Sequence, residues 1–458
     1  MPDTRSHEAQ AGLTEQELHD WVATVAGGPG AKVTQMRLIT GGNRYRSWAV
    51  DVETPGGAVT PLYLRYQMPR PPSAEPYTVA REANIYRAVS DKGVSAPRLI
   101  AVHPGRHAVL TERAPGRADF RRLTDPAHRV TVVQEFIAAI AKLHQLDAAR
   151  LDLDDYAPSL KIADYVRREL DTWRAMYTET GRTDPLIDLG LAWLYAHLPT
   201  PSERPVLAHG DAGPGNFLFD KGHMTALLDW ELAHLGDPME DLAWFSMRCV
   251  MEPVPDFAGS IRDYERLAGR PIDRARVLYH RVLVSTRVVI IRHRNVTGEP
   301  GNSIVSRALN RRLLIDALAQ AIGVKLPAPE PAVAPSTLRT ELYDGIIDDL
   351  RAKMAGRTDD PVVVGSAKNA AKVLKYLRDS DRLGPAIEQA DRAALESLLG
   401  QKPPSVAEGQ AALVTGMSQG RFTPAQVLTY FAGSVAREAQ LAAASSGGLA
   451  TRTFPDLP

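Results

Sequence analysis

The chain of 458 residues contains one cysteine, Cys249, which excludes an intrachain disulfide and a cysteine-based metal centre and fits a reducing compartment. Neither sign of charge is in excess, with 54 Lys plus Arg against 54 Asp plus Glu. No global field therefore draws the chain to nucleic acid or to an anionic membrane, and a charged partner must be recognised locally. No stretch approaches the ~18 apolar residues of a membrane span. The N-terminal MPDTRSHEAQAGL lacks the basic segment and apolar run of a secretion signal. The expectation from these absences is a cytoplasmic protein with no nucleic-acid or membrane partner. What remains, 44% hydrophobic and 24% charged residues, is the balance of a globular protein able to bury a large core.

Prolines 327, 329, 331 and 335 fall in KLPAPEPAVAPS, residues 325 to 336, and mark an extended linker. Before it, residues 1–115 read as β-rich: VTQMRLIT and SWAVDV flank Gly41-Gly42, followed by LYLRY, a helical YTVAREANIYRAV, and the strands PRLIAV and HAVLTER. Residues 116–326 are dominated by helical periods such as VTVVQEFIAAIAKLHQL, interrupted by the short β-like FLF and ALLDW. Residues 337–458 read as amphipathic helices whose charges, including Asp348, Asp349 and Lys353, suit an ordinary helix surface. The order is α+β: a small sheet-rich lobe, a larger helical lobe, and a helical tail expected to dock on the rest or to self-associate.

Chemistry concentrates in LAHGDAGPGNFLFDKGHMTALLDWE, residues 207 to 231. Asp211 and Asn216, five residues apart in a loop with Gly210, Gly213, Pro214 and Gly215, follow neither helical nor strand period. FLF and ALLDW would form a hairpin turning through DKGH, which returns Asp229 beside Asn216. An Asp and an Asn converging through oxygen suit Mg²⁺. Asp211 would then accept a proton or orient a hydroxyl. Each piece alone would equally suit a solvated turn, because Asp, Asn and Gly are common turn residues. The ordered combination is what points to a site.

HGDAGPGN followed by LLDWE resembles the catalytic and metal-binding motifs of the aminoglycoside phosphotransferase and choline kinase family, relatives of protein kinases that carry His-Gly-Asp in place of His-Arg-Asp. The resemblance spans roughly residues 30 to 325 and implies a two-lobed protein-kinase-like fold with a C-terminal all-α addition. It implies ATP and Mg²⁺ as cofactors, Asp211 as catalytic base or hydroxyl-orienting residue, and Asn216 and Asp229 as metal ligands. His209 would support the loop, and Asp241 in GDPMEDLAW would hold it in place. Gly41, Gly42 and Asn43 would supply the loop over the phosphates, although three kinase glycines are reduced to two. Arg65 stands where the family usually has lysine. In LYLRY it points away from Leu62, Leu64 and Tyr66. Glu82, on an apolar helical stripe with Val79, Ala83 and Tyr86, needs a partner, and Arg65 is that partner. The backbone from Glu112 to Ala114 would meet the adenine edge.

The acceptor is less legible. Arg287, Arg292, His293, Arg294 and Arg307 would receive an anionic substrate such as a carboxylate or a coenzyme A thioester, against the plainer reading of a solvated helix face. DWELAHLGDPMEDLAWFSMRC most resembles the branch related to kinase-like domains fused to certain acyl-CoA dehydrogenases, which implies a hydroxy acid or hydroxyacyl-CoA. The leading expectation is an ATP- and Mg-dependent transfer to a small-molecule hydroxyl. The alternatives are a nucleotide-binding scaffold whose tail binds a partner, an aminoglycoside O-phosphotransferase, disfavoured by the lack of an acidic run, and a protein kinase.

Overall fold

The computed structural model describes residues 12–39, 45–69, 73–105, 107–294, 300–328 and 330–458. Gly41, Gly42 and Asn43 lie outside them. The first lobe opens with α1 (Glu15–Ala26), whose Thr14 and Glu17 form a reciprocal cap, followed by β1 (Lys32–Ile39), β2 (Tyr45–Glu53), β3 (Val59–Gln67), α2 (Val79–Val89), β4 (Leu99–Val102) and β5 (Ala108–Glu112). The strands form one antiparallel sheet in the order β1-β2-β3-β5-β4. Alternation along β3 buries Leu62, Leu64 and Tyr66 against α1 and the Trp48, Val50 and Val52 row of β2. The opposite face carries Arg65 towards α2, where Val79 and Ala83 pack with Tyr45 and Val109.

The second lobe contains α3 (Pro126–His144), α4 (Ile162–Thr178), α5 (Pro185–Ala196), β6 (Val206–Ala208), β7 (Phe217–Asp220), β8 (His223–Leu227), β9 (His234–Gly236), α6 (Pro238–Met251), α7 (Phe257–Ala268), α8 (Arg274–Arg294) and α9 (Pro300–Ile322). Two short antiparallel pairs, β6 with β9 and β7 with β8, lie on this helical body. The lobes join at Gly116, whose φ of 111° leads into an Arg117 to Phe219 bridge. A Cβ there would collide with the Phe219 backbone, so glycine is required.

Residues 325–336 carry no regular structure where described, as expected of the proline-rich linker. The tail is α10 (Leu338–Asp349), α11 (Pro361–Leu399), α12 (Val406–Ser418) and α13 (Pro424–Ser446). It docks on the second lobe and shares its core: Leu395, Leu413, Val427, Phe431, Phe454 and Leu457 belong to the same buried cluster as Leu313 and Ile290. Arg311 of α9 reaches Glu438 of α13 at 2.7 Å, and Arg281 of α8 donates to Pro455 O at 2.6 Å. Lys353 and Asp349 pair on the surface, both largely exposed. Among the described residues no helix is long and apolar enough to cross a membrane.

Candidate active site

The expected hairpin forms, with β7 and β8 turning through Lys221 (φ 48°) and Gly222 (φ 83°). Leu228 N donates to Asn216 O at 2.8 Å, just past the last strand pair, so Asp229 emerges beside Asn216. Asp229 itself is left-handed, with φ 62° and ψ 59°, a conformation that costs a non-glycine residue roughly 1 kcal/mol or more and gathers at functional sites. Trp230 is fully buried behind it, donates to Leu227 O at 3.2 Å and lies against the His209 ring at 4.8 Å.

Asp241 sits in the first turn of α6, started by Asp237 capping Met239 N and by Pro238. Its carboxylate accepts from His209 N at 2.7 Å, Gly210 N at 2.9 Å and His144 Nε2 at 2.9 Å. Burial would raise this carboxyl; its hydrogen bond to His144 and the nearby His209 hold it below the usual range. The His209 ring bonds Leu228 O at 2.9 Å, tying the loop to the strand that delivers Asp229. Asn216 is buried and donates from Nδ2 to Asp211 O at 2.7 Å, which leaves its carboxamide oxygen for a cation.

Arg65 and Glu82 pair at 2.8 Å across the lobe. Burial raises the Glu82 carboxyl despite Arg65. Arg65 also bonds Asp229 at 3.0 Å and Glu231 at 3.2 Å, and lies 4.3 Å over the Tyr45 ring. Burial would lower its pKa, but these three acids together hold it well above the ordinary value. Asp229 would likewise be raised by burial; Arg65 first, then Arg248 and His209, bring it down. One guanidinium of the small lobe thus spans to the loop of the large one.

Glu112 ends β5, where its side chain pairs with Arg98 at 2.6 Å and its amide donates to Arg98 O at 2.9 Å. Arg113 N donates to Pro61 O at 3.2 Å, so Ala114 carries the first amide past these bonds.

Arg248 is the residue that the sequence does not announce. From α6 it grips both oxygens of Asp211, with Nε at 2.8 Å from Oδ1 and Nη2 on Oδ2. The expected free carboxylate at the mouth is instead held in a bidentate ion pair and is mostly buried. Nothing in the 37-residue separation points to that partner.

Most of the basic cluster expected to receive an anionic substrate is spent on structure, Arg292 being exposed. Arg287 is buried against Glu240 and Glu169, the latter at 2.9 Å. Arg294 pairs with Glu179 and Glu75, and Arg307 with Glu438 at 3.6 Å. The cavity lined by Arg292, His293 and Arg307 measures about 10 Å³, room for about one water. The solvated-face reading holds for Arg292 but not for Arg287, because α8 is buried along most of its length and a charge there must be paired.

Among the described residues no three His, Cys, Asp or Glu side chains cluster as a metal site. A cation would rest on the oxygens of Asn216 and Asp229 together with the phosphates of a ligand, the donor set Mg²⁺ accepts. A carboxylate held in a glycine-rich loop, an amide and acid pair, and a cross-lobe arginine at one cleft are the parts a kinase-like phosphotransferase requires. The chain belongs to the phosphotransferase enzyme family (APH), whose model matches residues 35–278. It is similar to acyl-CoA dehydrogenase family member 11 of Homo sapiens, 30% identical over 196 residues, which are 40% of this chain and 25% of that protein. It is also similar to family member 10 of Mus musculus, 29% identical over 184 residues, 38% of this chain and 17% of that one. The chain therefore spans a quarter or less of the length of these relatives. Among solved structures, a protein assigned as an aminoglycoside phosphotransferase from Ralstonia eutropha matches with a TM-score of 0.53 at 21% identity, over 68% of this chain and 99% of that one, which supports the two-lobed protein-kinase-like fold.

Proposed function

We propose that the chain moves the γ-phosphoryl group of ATP, with Mg²⁺, to the hydroxyl of a small hydroxy acid or hydroxyacyl-CoA. The observation that carries this reading is the convergence at the lobe junction of Asp211, Asn216 and Asp229 with Arg65 of β3, 3.0 Å from Asp229. In this reading residues 1–115 hold the nucleotide, 116–326 the catalytic groups and acceptor, and 337–458 buttress the second lobe. Asp211 orients the hydroxyl and takes its proton. Asn216 and Asp229 hold the metal, which offsets charge on the phosphates when bound. Arg65, itself oriented by Glu82, extends to the α- and β-phosphates, and the Ala114 amide meets the adenine edge. His209 and Asp241 keep the loop in place. The acyl-CoA-linked acceptor is supported by the similarity to the acyl-CoA dehydrogenase family members.

Transfer from labelled ATP to a panel of hydroxy acids, hydroxyacyl-CoAs, amino alcohols and aminoglycosides tests this. Label is expected on a hydroxy acid or hydroxyacyl-CoA, with Asp211→Asn lowering kcat about 100-fold or more. Equal turnover by the variant removes Asp211 from its role. Label on aminoglycosides alone replaces the acceptor class.

A further inference from the structure

Arg248 offers more than a tether for Asp211. Its Nε and Nη2 edge is engaged by the carboxylate, while Nη1 makes no hydrogen bond among the described residues. The side chain is 30% exposed against 13% for Asp211, and Nη1 is not among the buried polar atoms left without a partner, so the unused edge is open to solvent. The loop is shaped to admit this guanidinium. A Cβ on Gly213, where φ is 144°, would stand 2.6 Å from Arg248 Cβ and 2.8 Å from Cγ, and a Cβ on Gly215 would stand 3.5 Å from Nη1. Gly213 therefore leaves the room that the Arg248 stem fills, and Gly215 lies in ordinary contact with its tip.

The electrostatics agree with this placement. Asp229 feels Arg248 as well as Arg65, and Arg248 is held charged by Asp211 and Asp229 against the effect of burial. Arg248 thus pairs with the carboxylate assigned to the hydroxyl and acts electrostatically on the carboxylate assigned to the metal. Arg65 already serves Glu82, Asp229 and Glu231, whereas Arg248 hydrogen-bonds a single acid. Of the two guanidiniums, Arg248 has the free edge.

We propose that Arg248 is a catalytic residue that contacts the transferring phosphoryl group through Nη1 while its other edge aims Asp211. The proposal rests on the reading of this cleft as an ATP phosphotransfer site. In the step, the acceptor oxygen forms a bond to the γ-phosphorus as the bond from that phosphorus to the β,γ-bridging oxygen breaks. The hydroxyl proton passes to Asp211, and ADP leaves with the electron pair. Negative charge spread over the phosphoryl oxygens meets a guanidinium already oriented by the base, which is the form in which a fixed cation aids transfer most.

The test needs no acceptor. Mg-ADP binding is measured with and without aluminium fluoride, a mimic of the phosphoryl group in transit, for the wild-type chain, Arg248→Gln and Arg248→Lys, with thermal melts to establish that each is folded. Wild type is expected to bind Mg-ADP more tightly with fluoride. Arg248→Gln should keep Mg-ADP affinity within about twofold yet lose about tenfold or more of the tightening, and Arg248→Lys should recover part of it. Tightening equal to wild type in Arg248→Gln overturns the contact. Equal loss with and without fluoride makes Arg248 architecture of the loop, and a wild type that binds Mg-ADP without tightening also overturns it. A wild type that binds no Mg-ADP at all removes the nucleotide reading itself, a result distinct from the others. As a second readout, guanidinium ion added to Arg248→Ala should restore tightening, which a purely structural role would not allow.

Discussion

Arg65 bonds three carboxylates, and the stability of one lobe and the readiness of the site meet in that side chain. Glu82 is 1% exposed, so removing its partner leaves a buried, unpaired acid. Arg65→Ala should cost about 3 kcal/mol in urea unfolding and weaken ATP binding. Adding Glu82→Gln should recover part of the stability, because a neutral amide tolerates that site, but none of the ATP affinity. If the double variant regains both, Arg65 acts only as Glu82's counterion; if ATP affinity never falls, its place at the phosphates is lost. This pair is legible in the sequence, since strand alternation turns Arg65 away from Leu62 and Leu64 and helical spacing puts Glu82 on an apolar stripe. The Arg248 pair is not. In DLAWFSMRC the arginine looks like a last-turn cation on an apolar helix, and only the density of glycines in GDAGPGN hints that something bulky presses on that loop. Glu231 escapes for a similar reason: its contact with Arg65 depends on how the two lobes meet.

At the scale of elements, the catalytic loop is held from three directions, by Asp241 on its amides, by the β7 and β8 hairpin, and by Arg248 against Gly213. Gly213→Ala tests the third. It places a methyl group on the Arg248 stem in a backbone conformation alanine resists, with an expected cost of roughly 1–3 kcal/mol and a fall in kcat larger than any change in ATP KM. Gly181→Ala is the control: its φ is 62° but nothing lies within 4 Å of the added Cβ, so it should lose about 1 kcal/mol with activity unchanged. Thermal melts and steady-state rates on both variants decide it, and equal kcat losses would mean backbone strain alone matters. The elements themselves follow closely from pattern: the hairpin from DKG between apolar runs, the linker from its prolines, α2 from its stripe. The role of α8 does not, because a run of arginines reads the same whether it faces water or buried acids such as Glu169 of α4 and Glu240 of α6.

Across the whole molecule those buried charges set how stability responds to pH. Beneath the site, Arg276 and His280 meet Asp237, while Arg287 and His234 meet Glu240. Burial would lower His234, yet Glu169 and Glu240 push it up to about 9. Burial would raise Asp237 and Glu240, yet His280 and Arg276 in the first case, and Arg287 and His234 in the second, hold both far below the usual carboxylate range. A histidine whose folded pKa is raised contributes fully below its unfolded value of 6.5 and progressively less as pH climbs to about 9. Carboxylates with depressed values contribute fully above their unfolded range and lose that contribution progressively as pH falls from there to their folded values. Stability should therefore be greatest near pH 5 to 6.5 and decline by about 3 kcal/mol towards pH 9, since each tenfold gain in proton affinity on folding is worth about 1.4 kcal/mol. The series ends at pH 9, where the His234 contribution is largely spent. Urea unfolding at pH 5.5, 7.5 and 9 should show the decline in wild type and a flatter, lower profile in His234→Gln. An equally steep decline in the variant would assign the pH dependence to another group, and a flat wild type would mean His234 keeps its ordinary pKa among those acids.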